Sequence, residues 1–238
     1  MEENAVSISF TDVNKSGYFI KFGKQDHLKH FQSGHIWFSH PDKYRDHENI
    51  YAIGDKDEGL SQVIHRSPST TFIFSHPNIM NGKNIDVTSS IEELKQFPNT
   101  NSYILCLSRL IAGEIINNDT IDKKVLNEPD WDSVLIIFGS GTFTKNIAKV
   151  TETSNPIFGP VTYYDSSEDH SDLNLFSKSK AYSFEREVRF IINVENDSKY
   201  KRIDKNTIEI KIDDFTKSSV IIPTKDLFSC FLVNNNSE

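Results

Sequence analysis

The stretch KSKAYSFEREVRFIINV, residues 178–194, carries the most informative pattern of the chain, and we call it the signature segment. From Val188 onward it is rich in β-branched and aromatic residues and contains neither glycine nor proline. This composition predicts a β-strand. Side chains alternate between the two faces of a strand, so every second residue is expected on the same face.

One face of this predicted strand carries charge. Glu185, Glu187 and Arg189 are two residues apart and should project together. The opposite face is largely apolar and is expected to pack against the core; it consists of Phe184, Val188 and Phe190. Two interpretations of the charged row remain open. Cross-strand partners could neutralise it on a solvated sheet, or it could belong to a functional site.

Length and composition predict one domain of ordinary globular type. The chain has 238 residues, of which 37% are hydrophobic and 25% charged. This is enough for a single domain over residues 1–238 with a substantial core. No apolar run approaches the ~20 residues of a membrane helix, and the N-terminus has no signal-peptide pattern. Cys106 and Cys230 make no disulfide framework, so we expect a cytoplasmic protein without a membrane partner.

The charge is unevenly distributed along the chain. The net charge of −8 argues against a protein that grips nucleic acid over a broad surface, because such proteins are usually basic. Between residues 178 and 205, however, basic residues outnumber acidic ones. Such a local basic patch suits the phosphates of a dinucleotide or of RNA, although a solvated hairpin tip has the same composition.

A compact strand, helix and strand are predicted near the N-terminus. The strand covers residues 16–23 and the helix residues 24–33, with Leu28 and Phe31 facing inward and Gly34 ending it. The second strand covers residues 35–40, and Pro41-Asp42 is predicted to turn the chain.

The rest of the pattern predicts short strands with few helices. Residues 61–66 and 70–76 indicate a hairpin around Ser67-Pro68, and residues 89–97 a capped helix. Further strands are predicted at 103–109, 132–138, 157–164, 207–212, 219–222 and 228–233. A glycine turn at 139–141 precedes an amphipathic stretch at 142–150, and the strand at 207–212 is expected to pair with the signature segment. The fold class is therefore α+β.

The signature segment resembles a known bacterial pattern. Its spacing, Lys178-x3-Tyr182-x2-Glu185-x-Glu187-x-Arg189, resembles the Lys-x3-Trp-x2-Glu-x-Glu-x-Arg signature of a bacterial family of domains of unknown function, with tyrosine in place of tryptophan. Elsewhere the resemblance covers Lys21-Phe22-Gly23, Tyr44-Arg45, the Asp55-x-x-Glu58-Gly59 element and Cys106-Leu107-Ser108. Related proteins include ADP-ribosyltransferase toxins of phage defence of the CmdT type, which modify mRNA.

This resemblance implies an ADP-ribosyltransferase-like fold, with mostly antiparallel short strands in two packed sheets. It implies an NAD-dependent mono-ADP-ribosyltransferase that acts as an intracellular toxin or phage-defence effector. NAD would be the co-substrate, and RNA, an antitoxin and a chaperone are candidate partners. Glu187 would hold the ribose 2′-hydroxyl while nicotinamide leaves, and Glu185 would orient or deprotonate the nucleophile.

The same resemblance implies a set of NAD-binding residues. Aromatic rings would stack on nicotinamide or adenine, cations would meet the pyrophosphate, and hydroxyls would contact the ribose. The candidates are Tyr18, Lys21, Phe22, Ser39, Tyr44, Arg45, Ser108, Arg109 and Tyr182.

Two other classes of function remain open. In a nuclease, Asp132, Glu185 and Glu187 would hold Mg²⁺, although no tight Asp…Glu-x-Lys spacing supports this. In a sensor or binding module, the scaffold would persist without chemistry. The chain also has eight histidines, but no HExxH motif and no Cys–His spacing of a zinc site. We therefore interpret the histidines as scattered surface residues and predict no metal site.

Overall fold

A computed structural model describes residues 17–46, 55–65, 71–74, 85–88, 93–97, 101–111, 131–154, 156–194 and 200–227. The fold is mixed α+β, with mostly antiparallel strands and few helices, as predicted. The first seven strands are β1 Gly17–Gly23, β2 His35–Ser39, β3 Gln62–His65, β4 Thr71–Phe74, β5 Ile85–Thr88, β6 Glu93–Gln96 and β7 Ser102–Ile111. The others are β8 Ser133–Ile137, β9 Ile157–Pro160, β10 Thr162–Tyr164, β11 Ser177–Ser179, β12 Glu187–Asn193, β13 Lys201–Asp204, β14 Thr207–Lys211 and β15 Ser219–Pro223.

The helices are α1 Gln25–Gln32, α2 Pro41–Asp46 and α3 Ser140–Thr151, with 3-10 helices at Glu152–Ser154, Lys180–Glu185, Thr216–Ser218 and Thr224–Asp226. Helix α1 buries Leu28 and Phe31, as their spacing predicts. Its first backbone N–H group, at Gln25, donates to the Asp132 carboxylate at 2.9 Å. Gly34, with φ of 95°, ends the helix in a conformation that a residue with a Cβ rarely adopts.

Nine strands form one sheet that branches at β7. The main path runs β13-β14-β2-β7-β1-β8-β15, and β12 and then β9 continue from the other edge of β7. The resemblance implied two packed sheets, whereas these strands are joined by hydrogen bonds into a single one. Three two-stranded ribbons lie outside it: β3 with β6, β4 with β5, and β10 with β11, of which only the last is parallel.

The core lies on both faces of the strands at the centre of this sheet. Phe19 of β1 belongs to the larger buried cluster, whereas its neighbours Tyr18 and Ile20 belong to a second cluster. Strand β8 alternates in the same way, which explains why its sequence is an unbroken apolar run. Helix α3 covers the larger cluster with Phe143, whose ring contacts those of Phe19, Phe31, Phe190 and Phe215.

Several sequence-based predictions of strand pairing are wrong. Strand β3 pairs with β6, and β4 with β5, so residues 61–66 and 70–76 do not form a hairpin with each other. Strand β14 pairs with β2 and β13 and not with the signature segment, whose strand β12 lies between β7 and β9. Alternation identifies a strand but does not identify its partner, because any strand of matching pattern satisfies the same hydrogen bonds.

Three local predictions are also wrong. Residues 93–96, predicted as helix, form strand β6, because pairing with β3 overrides the local helix signals. Pro41 begins helix α2 and does not simply turn the chain. The predicted strand at 157–164 divides at Val161 into β9 and β10, which belong to different sheets. The predicted turn at Ser67-Pro68, the start of the predicted helix at 89–92, the strand at 228–233 and Cys230 lie outside the described residues.

Cys106 is a free thiol. Within the described part of the chain, no helix is both long and apolar enough to cross a membrane.

Candidate functional site

The signature segment forms a short 3-10 helix followed by a strand, and Glu185 and Glu187 belong to different elements. The 3-10 helix ends at Glu185, and Arg186 follows it in the left-handed conformation, with φ of 48° and ψ of 46°. Strand β12 then begins at Glu187, which lies opposite Ser108 of β7. The prediction that Glu185 lies on the strand is therefore wrong, but the left-handed turn still returns its carboxylate toward that of Glu187.

Lys178 joins the two carboxylates. Its Nζ atom lies 2.5 Å from Oε2 of Glu185 and 2.9 Å from Oε2 of Glu187. Lys178 is buried in the middle of β11, where pairing with β10 holds its backbone. Its ammonium group also lies 4.9 Å from the centre of the Tyr182 ring, in a cation–π contact. The ring of Tyr182 thus helps to stabilise the buried charge of Lys178.

Arg189 lies fully buried beneath the carboxylate of Glu187. Its Nε atom donates to Oε1 of Glu187 at 2.7 Å, and its two terminal nitrogens each donate to Glu58 at 2.8 Å. A further bond, at 2.5 Å, goes to the carbonyl oxygen of Leu175. Arg189 was expected to share a strand face with both glutamates, but it shares one only with Glu187, and it supports the site from below without lining the cavity.

The three carboxylates, of Glu58, Glu185 and Glu187, therefore share two cations. Because of this imbalance, the pKa values of Glu185 and Glu187 shift in opposite directions. Burial by itself would raise the pKa of Glu187, but the charges and hydrogen bonds of Arg189 and Lys178 hold that pKa well below its usual range. Burial raises the pKa of Glu185 to about 7, because Lys178 only partly offsets the loss of water and the repulsion by Glu187. At neutral pH one carboxylate is thus permanently charged, while the other is able to exchange a proton.

These groups face a cavity of about 270 Å³. Its lining combines the acidic groups with two lysines, a thiol, several aromatic rings and a serine hydroxyl. The polar and aromatic members are Lys21, Phe22, Tyr44, Glu58, Cys106, Ser108, Trp131, Lys178, Phe184, Glu185 and Glu187. A second cavity, of about 300 Å³, shares Lys21, Phe22 and Trp131 with the first. Both lie at the low end of the range for small-molecule sites.

Four of the predicted NAD-binding residues line the first cavity together with both glutamates. They are Lys21, Phe22, Tyr44 and Ser108. Lys21 points its Nζ atom toward the carbonyl oxygen of Cys106 at 3.5 Å, and Phe22 stacks on Trp131 with ring centres 5.3 Å apart. Burial raises the pKa of the Tyr44 hydroxyl, which accepts a hydrogen bond from the Cys106 thiol at 3.8 Å.

The other predicted binding residues lie elsewhere. Tyr18 is buried edge-on against Phe138, and Arg45 forms an ion pair with Asp42, donates to the carbonyl oxygen of Glu58 at 2.5 Å and covers the Phe97 ring. Tyr182 is not among the lining residues and meets the site through its ring contact with Lys178. Ser39 and Arg109 do not line the cavity; Ser39 is the last residue of β2, and Arg109 is exposed on β7.

Phe184 also differs from its predicted place. Val188 and Phe190 face the larger core cluster, as predicted. Phe184 precedes the left-handed turn, so the alternation of the strand does not apply to it. It packs on the second cluster and lines the cavity beside the glutamates.

Sequence analysis assigned no role to several residues of the site. Glu58 holds Arg189, and Tyr163 accepts a hydrogen bond from the backbone N–H of Glu187 at 2.8 Å. Trp131 lies between the two cavities. The signal for Glu58 was its place in the Asp-x-x-Glu-Gly element. Tyr163 and Trp131 had none, because they reach the site only through the pairing of distant strands.

The geometry does not favour a magnesium nuclease. Asp132 caps helix α1 and is not among the lining residues. The oxygens of Glu187 already accept bonds from Lys178 and Arg189, which would repel a further cation.

Comparison of the chain with protein-family models, with curated proteins and with solved structures found no match.

Proposed function

We propose that the chain is an NAD-dependent mono-ADP-ribosyltransferase whose catalytic groups are Glu187 and Glu185. The observation that carries the proposal is the pair of carboxylates with opposite pKa shifts at one cavity, within reach of the same lysine. Pairs of this kind assign an electrostatic role to the ionised group and a proton-transfer role to the other.

Each carboxylate then has a definite step. The bond between nicotinamide and C1′ of the ribose breaks, and nicotinamide leaves as a neutral molecule with the bonding electrons. Positive charge develops on the ribose, and the Glu187 carboxylate, accepting a hydrogen bond from the 2′-hydroxyl, stabilises it. The nucleophile of the acceptor forms the new bond to C1′ and transfers its proton to Glu185.

The remaining lining residues suit the other parts of NAD. Phe22, Trp131 and Tyr44 offer aromatic surface for a planar ring, and Lys21 offers positive charge for a phosphate. The first cavity is small for a whole dinucleotide, and the second cavity continues from it across Lys21, Phe22 and Trp131. RNA is the candidate acceptor that the resemblance offers, and a protein acceptor is the alternative that the test must distinguish.

The test uses NAD labelled on the adenylate phosphate, incubated with purified chain and either RNA or cell lysate. We expect the label to appear on an acceptor, nicotinamide to be released in parallel, and Glu187→Gln to abolish both. RNA shortening that requires Mg²⁺, without label transfer, would support the nuclease instead. If no nicotinamide is released and no label is transferred in any arm, the proposal is refuted.

A further inference from the structure

A second polar cluster lies away from the cavity, where helix α1 meets strands β2 and β14. His30 is in the last turn of α1, His35 begins β2, and Glu209 lies in β14. The two imidazole rings stack with centres 4.0 Å apart. Nδ1 of His35 lies 3.1 Å from Oε1 of Glu209, and Nε2 of His30 lies 3.6 Å from Oε2. The histidines that we interpreted as scattered are therefore in contact with each other.

Glu209 is held in its ionised form. Burial would raise its pKa, but hydrogen bonds from Trp37, His35 and Lys201 lower that pKa to about 2. Trp37 Nε1 donates at 2.9 Å and Lys201 Nζ at 3.0 Å. The carboxylate is 6% exposed, whereas the His30 and Lys201 side chains are 44% and 68% exposed. One side of the cluster thus consists of fixed protein groups and the other is open to water.

We propose that His30, His35 and Glu209 form a binding site for a divalent transition-metal ion of the zinc class. Zinc prefers imidazole nitrogen and carboxylate oxygen at about 2.0–2.2 Å in tetrahedral geometry, which places neighbouring ligand atoms about 3.4 Å apart. Nδ1 of His35 lies 3.1 Å from Oε1 of Glu209, close to that separation, and Nε2 of His30 lies 3.6 Å from the other oxygen, Oε2. Within the described ranges, this is the group of three His, Cys, Asp or Glu side chains whose ligand atoms all come within 4.8 Å of one another.

Two small movements complete the site. Stacked rings cannot both aim at one ion, so the exposed His30 ring must turn about its side-chain bonds. Lys201 must also leave Oε1 of Glu209, since its ammonium group competes for the same negative charge. Trp37 keeps Glu209 oriented through its own bond to Oε2, as a supporting partner of a metal ligand does. The open side leaves a fourth position for water or another donor.

The site would connect three separate elements through one ion. His30 and His35 flank the turn at Gly34, and Glu209 comes from β14, which is hydrogen-bonded to β2. A bound ion should therefore stabilise the folded state, by an amount that grows with the logarithm of the free zinc concentration once this exceeds Kd. Because the cluster shares no residue with the acidic cavity, this inference stands or falls separately from the proposed transferase activity.

The test is equilibrium dialysis of the full chain against Zn²⁺, with bound metal measured by elemental analysis. Binding is also followed by Trp37 fluorescence in a Trp131→Phe background, because Trp37 is bonded to the proposed ligand and the chain has two tryptophans. We expect one ion per chain at the site. His30→Ala and His35→Ala should each weaken binding by at least about tenfold. Lys201→Met should strengthen it by about threefold or more, because it removes the competing cation.

His27→Ala is the matched control, since His27 is exposed one turn earlier on the same helix and lies outside the proposed ligand group. Its ring lies edge-on to Trp37 with centres 6.0 Å apart, so this variant is compared by bound metal and not by fluorescence. It should bind zinc like the wild type. The proposal would be overturned if the wild type bound no zinc. It would also be overturned if His27→Ala weakened zinc binding as much as His30→Ala and His35→Ala do. Unchanged binding in both His30→Ala and His35→Ala would overturn it as well. Thermal unfolding of each variant without metal shows whether a loss of binding is only a loss of fold.

Discussion

At the scale of single residues, two glutamates separated by one residue acquire opposite properties. Glu187 has both oxygens bonded to cations, whereas Glu185 has one bond from Lys178 and faces the charge of Glu187. The same residue type is therefore an ionised group at one position and a proton-exchanging group at the other. Their neighbours alone decide this difference.

Glu187→Gln should abolish transfer while NAD still binds. The change keeps the shape of the side chain and removes the charge that stabilises the developing cation, at a cost of about 2–4 kcal/mol in the barrier, or about 30- to 1000-fold in rate. It should also lower the free energy of unfolding by about 3 kcal/mol, since Lys178 and Arg189 each lose a buried partner. Single-turnover kinetics and calorimetric unfolding measure the two effects. Retention of more than half of the wild-type rate would contradict the assignment.

Glu185 should give the reaction its pH dependence. With a pKa of about 7, its carboxylate is largely protonated at pH 6, so transfer should fall about tenfold per pH unit below 7. Glu187 stays ionised over this range and therefore does not change the pH dependence of the rate. The measurement is kcat/KM for transfer between pH 5 and 9. Glu185→Gln should be slow and should show a flat profile; a wild-type profile that remains after this change would assign the proton transfer to another group.

The same two groups affect stability in opposite directions. The lowered pKa of Glu187 means that its stabilisation is present above the unfolded-state value and is lost as pH falls. The raised pKa of Glu185 means that its protonated form is the one the fold prefers, so its contribution weakens as pH rises from about 4.5 to about 7. We expect the free energy of unfolding of the wild type to fall, relative to that of Glu185→Gln, as pH rises across this range. Urea denaturation of the two proteins at several pH values measures this difference.

At the scale of elements, positive φ angles determine where the site-forming segments change direction. Arg186 turns the chain between the 3-10 helix and β12, and Gly34 turns it between α1 and β2. At Gly34 an added Cβ would lie 2.2 Å from the carbonyl oxygen of Ile212, so the position excludes every side chain. Gly34 was predicted to end the helix, which is one reason for a glycine at this position. The close approach of the backbone that follows β14 is a second reason.

Gly34→Ala should destabilise the protein by at least about 2 kcal/mol, because it combines an unfavourable φ with a backbone clash. Gly141→Ala is the matched control. Gly141 lies in the first turn of α3 with no atom near the added Cβ, so alanine should raise stability by up to about 1 kcal/mol. Urea denaturation measures both. Equal effects of the two substitutions would show that the Gly34 contact does not exist in solution.

At the scale of the whole molecule, the cavity is built from parts of the chain that are far apart in sequence. Lys21 and Phe22 come from β1, Glu58 from the segment before β3, Ser108 from β7 and Glu187 from β12. Strand β7 brings most of them together, since it pairs with both β1 and β12. Of the two cations that we expected to act together, Lys21 lines the cavity and Arg45 does not.

Lys21→Met should weaken NAD binding by about tenfold while preserving the apolar stem, because Lys21 is the predicted phosphate partner that lines both cavities. Arg45→Ala should leave NAD affinity unchanged, because Arg45 does not line the cavity and is bonded to Asp42 and to the backbone carbonyl oxygen of Glu58. Calorimetric titration of NAD compares them, and binding should weaken with salt. If Arg45→Ala weakened NAD binding and Lys21→Met did not, the dinucleotide would have to bind elsewhere. If the wild type did not bind NAD, the transferase proposal would be refuted.

Local periodicity in the sequence is enough to predict the α+β class, most of the central strands and the burial of Leu28, Phe31, Val188 and Phe190. The spacing of the signature segment also singles out Glu185 and Glu187. The folded chain was needed to place β12 between β7 and β9, to put Arg189 beneath Glu187 and to bring His30 and His35 to Glu209. Strands of similar pattern are interchangeable locally, and charges shift one another's pKa values only after folding has brought them together.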